Sequence, residues 1–159
     1  SAVEKAILDY MAGKELTLST AESCTGGYIA HLITHRAGSS KVVFGGAFAY
    51  SDELRESILG VKNETLWQYG AVSQETVTEM VQGALLNFKS DYAVAVTGIA
   101  GPDGGTPEKP AGTVWIGVAN AEKTITKKFQ FGNKRIQNIE RTAIAALNML
   151  HLLLEEFKN

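Results

Sequence analysis

Apolar residues in this chain change period along its length, and the changes mark out its elements. From Ala2 to Lys14 they fall at Val3, Ala6, Ile7, Tyr10 and Met11, the three-and-four spacing of an amphipathic helix, and Gly13 is placed to end it. Leu16 to Thr20 reads as a short strand. A helical run follows to about Arg36, with Ser23 or Thr25 as its cap, and 37–40 is a turn. Lys41 to Tyr50 is continuously apolar and predicts a buried strand. Gly45 and Gly46 inside it suggest a bulge or the close approach of a ligand.

Ser51-Asp52-Glu53 opens a short helix that Gly60 closes. Asn63 caps another ending near Gly70, and Ser73 to Thr76 lead into a longer helix to about Phe88. Tyr92 to Thr97 predicts a buried strand, and Gly98 to Gly112 a long Gly/Pro loop. Thr113–Asn120 and Lys123–Phe131 predict a hairpin. A last helix runs from Arg135 to Phe157, apolar at Ile139, Ile144, Leu147, Leu150 and Leu154. Helices and strands alternate before a hairpin and a closing helix. The expected fold is an α/β three-layer sandwich, a mixed β-sheet flanked by helices, and residues 1–159 are read as one domain.

Composition narrows the possible partners. A net charge of −2 argues against a nucleic-acid binder or a membrane-surface protein, either of which would carry a basic face. No apolar run reaches the roughly 18 residues of a membrane span. Cys24 is the only cysteine, and His31, His35 and His151 lie apart, so no metal site is expected. No signal peptide is expected either, and the anticipated location is cytoplasmic.

In a parallel or mixed α/β sheet, ligands gather beyond the carboxyl ends of the strands. Three loops there, Glu22 to Gly27, Tyr50 to Arg55 and Thr97 to Gly105, and one basic segment at the start of the last helix carry candidate chemistry. The first is Thr20-Ala-Glu-Ser-Cys-Thr-Gly-Gly27. Ser23 reads either as a helix cap or as a nucleophile beside free helix-terminal N–H groups able to hold an oxyanion or phosphate. The second, Thr97 to Gly105, is rich enough in glycine to be open to a ligand, or is a mobile surface loop. The third, Tyr50 to Arg55, is either a solvated helix start or one wall of the same cleft. The fourth is Asn133-Lys134-Arg135. It places cations at a helix start, against the helix dipole, which is surface charge or an invitation to an anion.

Together with Gly38-Ser-Ser40, Gly45-Gly46, Tyr50-Ser51, Leu59-Gly-Val61, Gly70-Ala-Val-Ser73, Val96 to Gly105 and Lys109-Pro-Ala-Gly-Thr-Val114, these segments resemble the CinA C-terminal domain family, also known as nicotinamide mononucleotide (NMN) deamidases. The resemblance runs over nearly the whole chain in the expected order. It implies hydrolysis of the carboxamide of NMN to nicotinic acid mononucleotide and ammonia, without metal or cofactor, by a serine nucleophile paired with a lysine base.

Ser23 matches the nucleophile, and Tyr50 and Thr97 match polar residues that serve it. The expected substrate-binding positions are Thr25, Gly26, Gly46, Gly98, Gly101 and Arg135, with Arg141 or Gln137 as alternatives to Arg135. The family lysine falls five residues after the tyrosine, and here that position is Arg55. Arginine stays protonated and does not act as the base a lysine can be. Lys62 is a further candidate. The expected partner is a pyridine mononucleotide, not nucleic acid or membrane, and a homo-oligomer is anticipated. The alternative is a catalytically weak or inactive pyridine-nucleotide-binding domain.

Overall fold

The computed structural model of the chain describes residues 2–158. Five strands form one sheet: β1 (Leu18–Glu22), β2 (Val43–Phe48), β3 (Tyr92–Gly98), β4 (Thr113–Asn120) and β5 (Thr124–Gln130), in the order β2-β1-β3-β4-β5. β2, β1 and β3 run parallel, while β4 and β5 continue the sheet as an antiparallel hairpin. Six helices flank it: α1 (Ala2–Gly13), α2 (Tyr28–Thr34), α3 (Asp52–Leu59), α4 (Asn63–Tyr69), α5 (Gln74–Phe88) and α6 (Arg135–Glu156). This is the mixed-sheet sandwich the alternation predicts.

Alternation along the strands decides which helix packs where. Val94, Val96, Val114, Ile116 and Val118 face a core shared with α1, α2 and α6. The opposite face carries Ala93, Ala95 and Ala119 and packs on Val77, Met80, Val81 and Ala84 of α5. Small residues there let α5 lie close to the sheet. α5 is also close to α3, because a Cβ at Gly83 would stand 1.7 Å from the carbonyl of Leu59.

Several boundaries and environments differ from the expectation. β1 begins two residues later than the apolar run, because the backbone of Thr17 is engaged with Asp91. β2 is an edge strand rather than a buried one: Phe44 and Phe48 are 61% and 56% exposed. The expected bulge is present, for the β1 register passes from Val43 to Gly45 and leaves Phe44 unpaired. Neither Ser23 nor Thr25 caps α2, which starts at Tyr28 behind a left-handed Gly27 with no side-chain cap. Asn63 is the first residue of α4 and not its cap. Ile144 of α6 faces solvent. Ser51, Gly60 and Ser73 perform the capping roles read from the sequence.

Because β5 is antiparallel to β4, which is antiparallel to β3, β5 ends on the same side of the sheet as the three parallel strands. The segments leaving β1, β2, β3 and β5 therefore meet at one end.

Candidate active site

Glu22, the last residue of β1, organises this end. Its carboxylate is buried and accepts hydrogen bonds from the hydroxyl of Thr25 at 2.7 Å and from the amides of Ile29 and Ala30 at 2.9 Å each. A carboxylate supplied seven residues upstream thus satisfies the first-turn donors of α2 and complements its dipole. Those N–H groups are consequently not free for an anion, which corrects the reading of α2 as an oxyanion or phosphate site. The loop between, 23–27, is held tightly, and the hydroxyl of Thr25 is directed to Glu22.

Ser23 sits in that loop and is 2% exposed. Its Oγ accepts a hydrogen bond from Nη2 of Arg55 at 2.6 Å. Arg55 lies in the first turn of α3, five residues beyond Tyr50, and is itself buried. Nη1 donates to the carbonyl of Tyr50 at 2.9 Å and to Oδ1 of Asp52 at 3.1 Å; Nη2 also reaches Oγ1 of Thr97 at 3.5 Å. Nε is buried with no partner. Burial lowers the pKa of this guanidinium from its ordinary value, and the Asp52 carboxylate pulls it part of the way back. Thr97, near the end of β3, gives its own proton to the carbonyl of Ala71 at 2.7 Å, so it faces Arg55 as an acceptor.

The rim is built from Tyr50 and Arg135. Arg135 opens α6, and its Nη1 donates to the carbonyl of Gly101 at 2.9 Å and Nη2 to the Tyr50 hydroxyl at 3.4 Å. Tyr50 is 53% exposed, and its ring meets Phe48 edge-on with centroids 5.6 Å apart. Ser23, Arg55, Thr97, Tyr50 and Arg135 are therefore linked through hydrogen bonds on Arg55 and Arg135 and the Tyr50 residue they share.

The alternatives to these residues lie elsewhere. Lys62 is exposed, and its backbone amide donates to Glu79; Gln137 and Arg141 are exposed on α6, with no bond to a site residue among the described residues. The loop from Gly98 to Gly112 is anchored, with the Gly112 amide on the carbonyl of Ile99 and Nζ of Lys109 on that of Tyr69.

The glycines divide. A Cβ on Gly46 would meet the backbone of Thr20 at 2.4 Å, one on Gly98 the Val114 side chain at 2.7 Å, and one on Gly101 the Ala111 Cβ at 3.1 Å. Close packing of the chain against itself accounts for these three. Gly26 has open space instead, and its φ of 62° suits the turn after Ser23.

Two features were not read from the sequence. Glu22 lies outside the usual capping spacing. Asn138, in α6, is 1% exposed and donates to the carbonyls of Ala100 and Gly132 at 2.9 Å each, joining the loop after β3 to the segment after β5. An asparagine in line with the core-facing Thr142 and Ala146 was the available signal. Cys24, beside the nucleophile candidate, has its pKa pushed up to about 12, chiefly by burial, and stays a thiol.

Known proteins resemble this chain over most of its length. The CinA C-terminal domain model matches residues 1–154. A CinA-like protein of Cytophaga hutchinsonii is 46% identical over 156 residues, 95% of this chain and 37% of that protein. A putative competence-damage inducible protein of Caldanaerobacter subterraneus subsp. tengcongensis is 44% identical over 153 residues, 96% of this chain and 37% of that protein. The chain thus spans a little over a third of the length of these curated relatives.

Among solved structures, the competence/damage inducible protein CihA of Agrobacterium tumefaciens is 40% identical with a TM-score of 0.94, over 96% of this chain and 93% of that one. The competence damage-inducible protein A of Klebsiella pneumoniae subsp. pneumoniae is 33% identical with a TM-score of 0.94, over 99% and 98%. Sequence and fold agree along nearly the entire length, and the chain belongs to the CinA C-terminal domain family.

Proposed function

We propose that this chain is an amidohydrolase that hydrolyses the carboxamide of NMN to nicotinic acid mononucleotide and ammonia, with Ser23 as nucleophile. The observation that carries the reading is the buried Ser23 Oγ, 2.6 Å from the Arg55 guanidinium, in a chain whose family resemblance implies a serine nucleophile at that position. A cation in contact with Oγ favours the alkoxide over the alcohol. The amides of Cys24 and Thr25 donate to no backbone carbonyl among the described residues, and on this reading they would receive the oxyanion. Thr97 accepts from the same Nη2 that holds Ser23, at 3.5 Å.

At the rim, Arg135 would exchange a neutral carbonyl and a phenol for the 5′-phosphate, a stronger and bidentate partner. Tyr50 would border the pyridine-bearing end. The reading calls for no metal and no cofactor. It includes a cytoplasmic working place and a homo-oligomer, and neither nucleic acid nor membrane as a partner; among the described residues, no helix is long and apolar enough to cross a membrane.

A second reading is favoured by one observation: Arg55 only donates, so Ser23 has no base bonded to it. On that reading the chain is a weak or inactive pyridine-nucleotide-binding domain. Ammonia release from NMN, measured for the wild type and Ser23→Ala, separates the two. Turnover that disappears in Ser23→Ala supports the amidohydrolase. Binding of NMN by calorimetry with turnover no higher than that of Ser23→Ala supports the binding domain.

A further inference from the structure

We infer that the Ser23 site is an esterase site as well, and that it opens acyl esters with good leaving groups faster than carboxamides. The inference rests on Ser23 being the nucleophile, and goes beyond it to the class of bond the site handles best.

The side chain bonded to Ser23 Oγ is Arg55. All four of its Nη protons are directed at acceptors: the carbonyl of Tyr50, Asp52, Ser23 and Thr97. Nε–H is one more donor. A guanidinium has no acceptor, so it steadies charge on Oγ without carrying a proton to or from it. Its neighbours do not fill the gap. Thr97 has committed its proton to the carbonyl of Ala71. Glu22 is occupied by α2 and Thr25. Asp52 is on Nη1, away from the nitrogen that holds Ser23, and its side chain is 59% exposed. The Tyr50 hydroxyl lies at the rim with Arg135.

Hydroxide from solvent therefore takes the Oγ proton and becomes water. Oγ adds to the acyl carbon, and the bond from that carbon to the leaving group breaks. A phenolate or stabilised alkoxide leaves as the anion and needs no proton. An amide nitrogen must gain a proton before it leaves, and here only water can supply it. In the second half, hydroxide adds to the acyl carbon and Oγ departs as an alkoxide held by Arg55. Oγ then recovers a proton from water, and the carboxylate is released. The sum is ester plus two hydroxide ions giving carboxylate, the leaving-group anion and one water. A positioned acid–base group contributes typically 10²–10⁴-fold, and its absence weighs on the amide.

A matched pair tests this: p-nitrophenyl nicotinate and nicotinic acid p-nitroanilide, with the full chain as wild type, Ser23→Ala, Arg55→Lys and Arg55→Gln. The wild type is expected to release p-nitrophenol and to carry a nicotinoyl group on Ser23 by mass spectrometry. Release should fall to background in Ser23→Ala. Relative to the uncatalysed rates, the ester should be favoured over the anilide by about 100-fold or more. Arg55→Lys, which restores an amine able to move a proton, should reduce that preference at least about tenfold, whereas Arg55→Gln should not.

Equal acceleration of ester and anilide overturns the inference, as does ester cleavage that survives in Ser23→Ala. Acylation of Ser23 by the ester without ammonia release from NMN supports the inference and removes NMN as the substrate. Ammonia release from NMN that depends on Ser23, with no acylation by the ester, overturns the inference and leaves the amidohydrolase standing.

Discussion

Two arginines stand at the starts of two helices, and they are held in opposite ways. Arg55, in the first turn of α3, is 5% exposed and has every Nη proton engaged. Arg135, at the start of α6, is exposed and donates to one carbonyl and, at longer range, to a phenol. Burial costs Arg55 hydration, and the weakened preference for its charged form is the sign of that cost. Arg135 keeps its water and has neutral partners that an anion would displace. A buried cation with fixed contacts suits charge that develops on a neighbouring atom. An exposed, loosely held one suits a charge that arrives with a ligand. On the proposed reading, position in the fold, and not residue type, separates chemistry from capture.

Arg55→Met tests the inner half most severely. Its charge partner Asp52 remains solvated after the substitution, so no buried charge is orphaned. Stability is expected to fall by about 1–3 kcal/mol, because the buried Ser23 hydroxyl and the Tyr50 carbonyl lose their donor. Turnover should fall about 10²–10³-fold, as for loss of a preorganised donor. Thermal unfolding and ammonia release together check this. An unfolded Arg55→Met chain would make Arg55 a scaffold residue and dissolve the contrast with Arg135.

Arg135→Gln tests the rim. KM for a phosphate-bearing substrate is expected to rise about tenfold, near 1.4 kcal/mol, with kcat little changed and the salt dependence of KM reduced. The Tm should hardly move, because Arg135 is exposed and loses one part-buried and one exposed contact, both to neutral groups. Steady-state kinetics at two ionic strengths give the answer. A fall in kcat with unchanged KM would move Arg135 inward, into the chemistry.

The sequence made the two arginines visible to different degrees. The five-residue step from Tyr50 to Arg55 placed that side chain, because Ser51 caps α3 and Gly60 ends it, so the local signals agree with the helix. The hairpin is legible from its two apolar runs and short turn, α5 from its Ser73 start, and α6 from its apolar spacing, Ile144 apart. Arg135 was one of three candidates, since nothing local distinguishes it from Gln137 or Arg141 before the loop after β3 is in place. The environment of β2 is not legible, because Val43-Phe-Gly-Gly-Ala-Phe48 looks the same whether a strand is central or at an edge. The start of α2 is not legible either, because Glu22 acts across a seven-residue gap that no capping pattern spans.

Cys24 sharpens the comparison with a smaller effect. It stands next to Ser23 and feels both guanidiniums, Arg55 more than Arg135, yet burial outweighs them and its pKa lies at about 12. Contact is the difference: Ser23 Oγ is bonded to Arg55, whereas Cys24 meets the cations only through their field. The folded thiol therefore keeps its proton while the unfolded one, with an ordinary value of 9.0, loses it, so stability is full below about 9 and declines as pH rises toward 12. By pH 9.5 the decline from this group is about 0.8 kcal/mol. It is read as the difference in denaturant unfolding between the wild type and Cys24→Ala, each referenced to its own value at pH 7. In Arg55→Met the thiol loses the larger of the two attractions and should resist iodoacetamide at pH 9.5 more strongly than in Arg135→Gln. Equal labelling of the two variants would mean that the inner and outer cations act on this loop alike, and the division between them would fail at its centre.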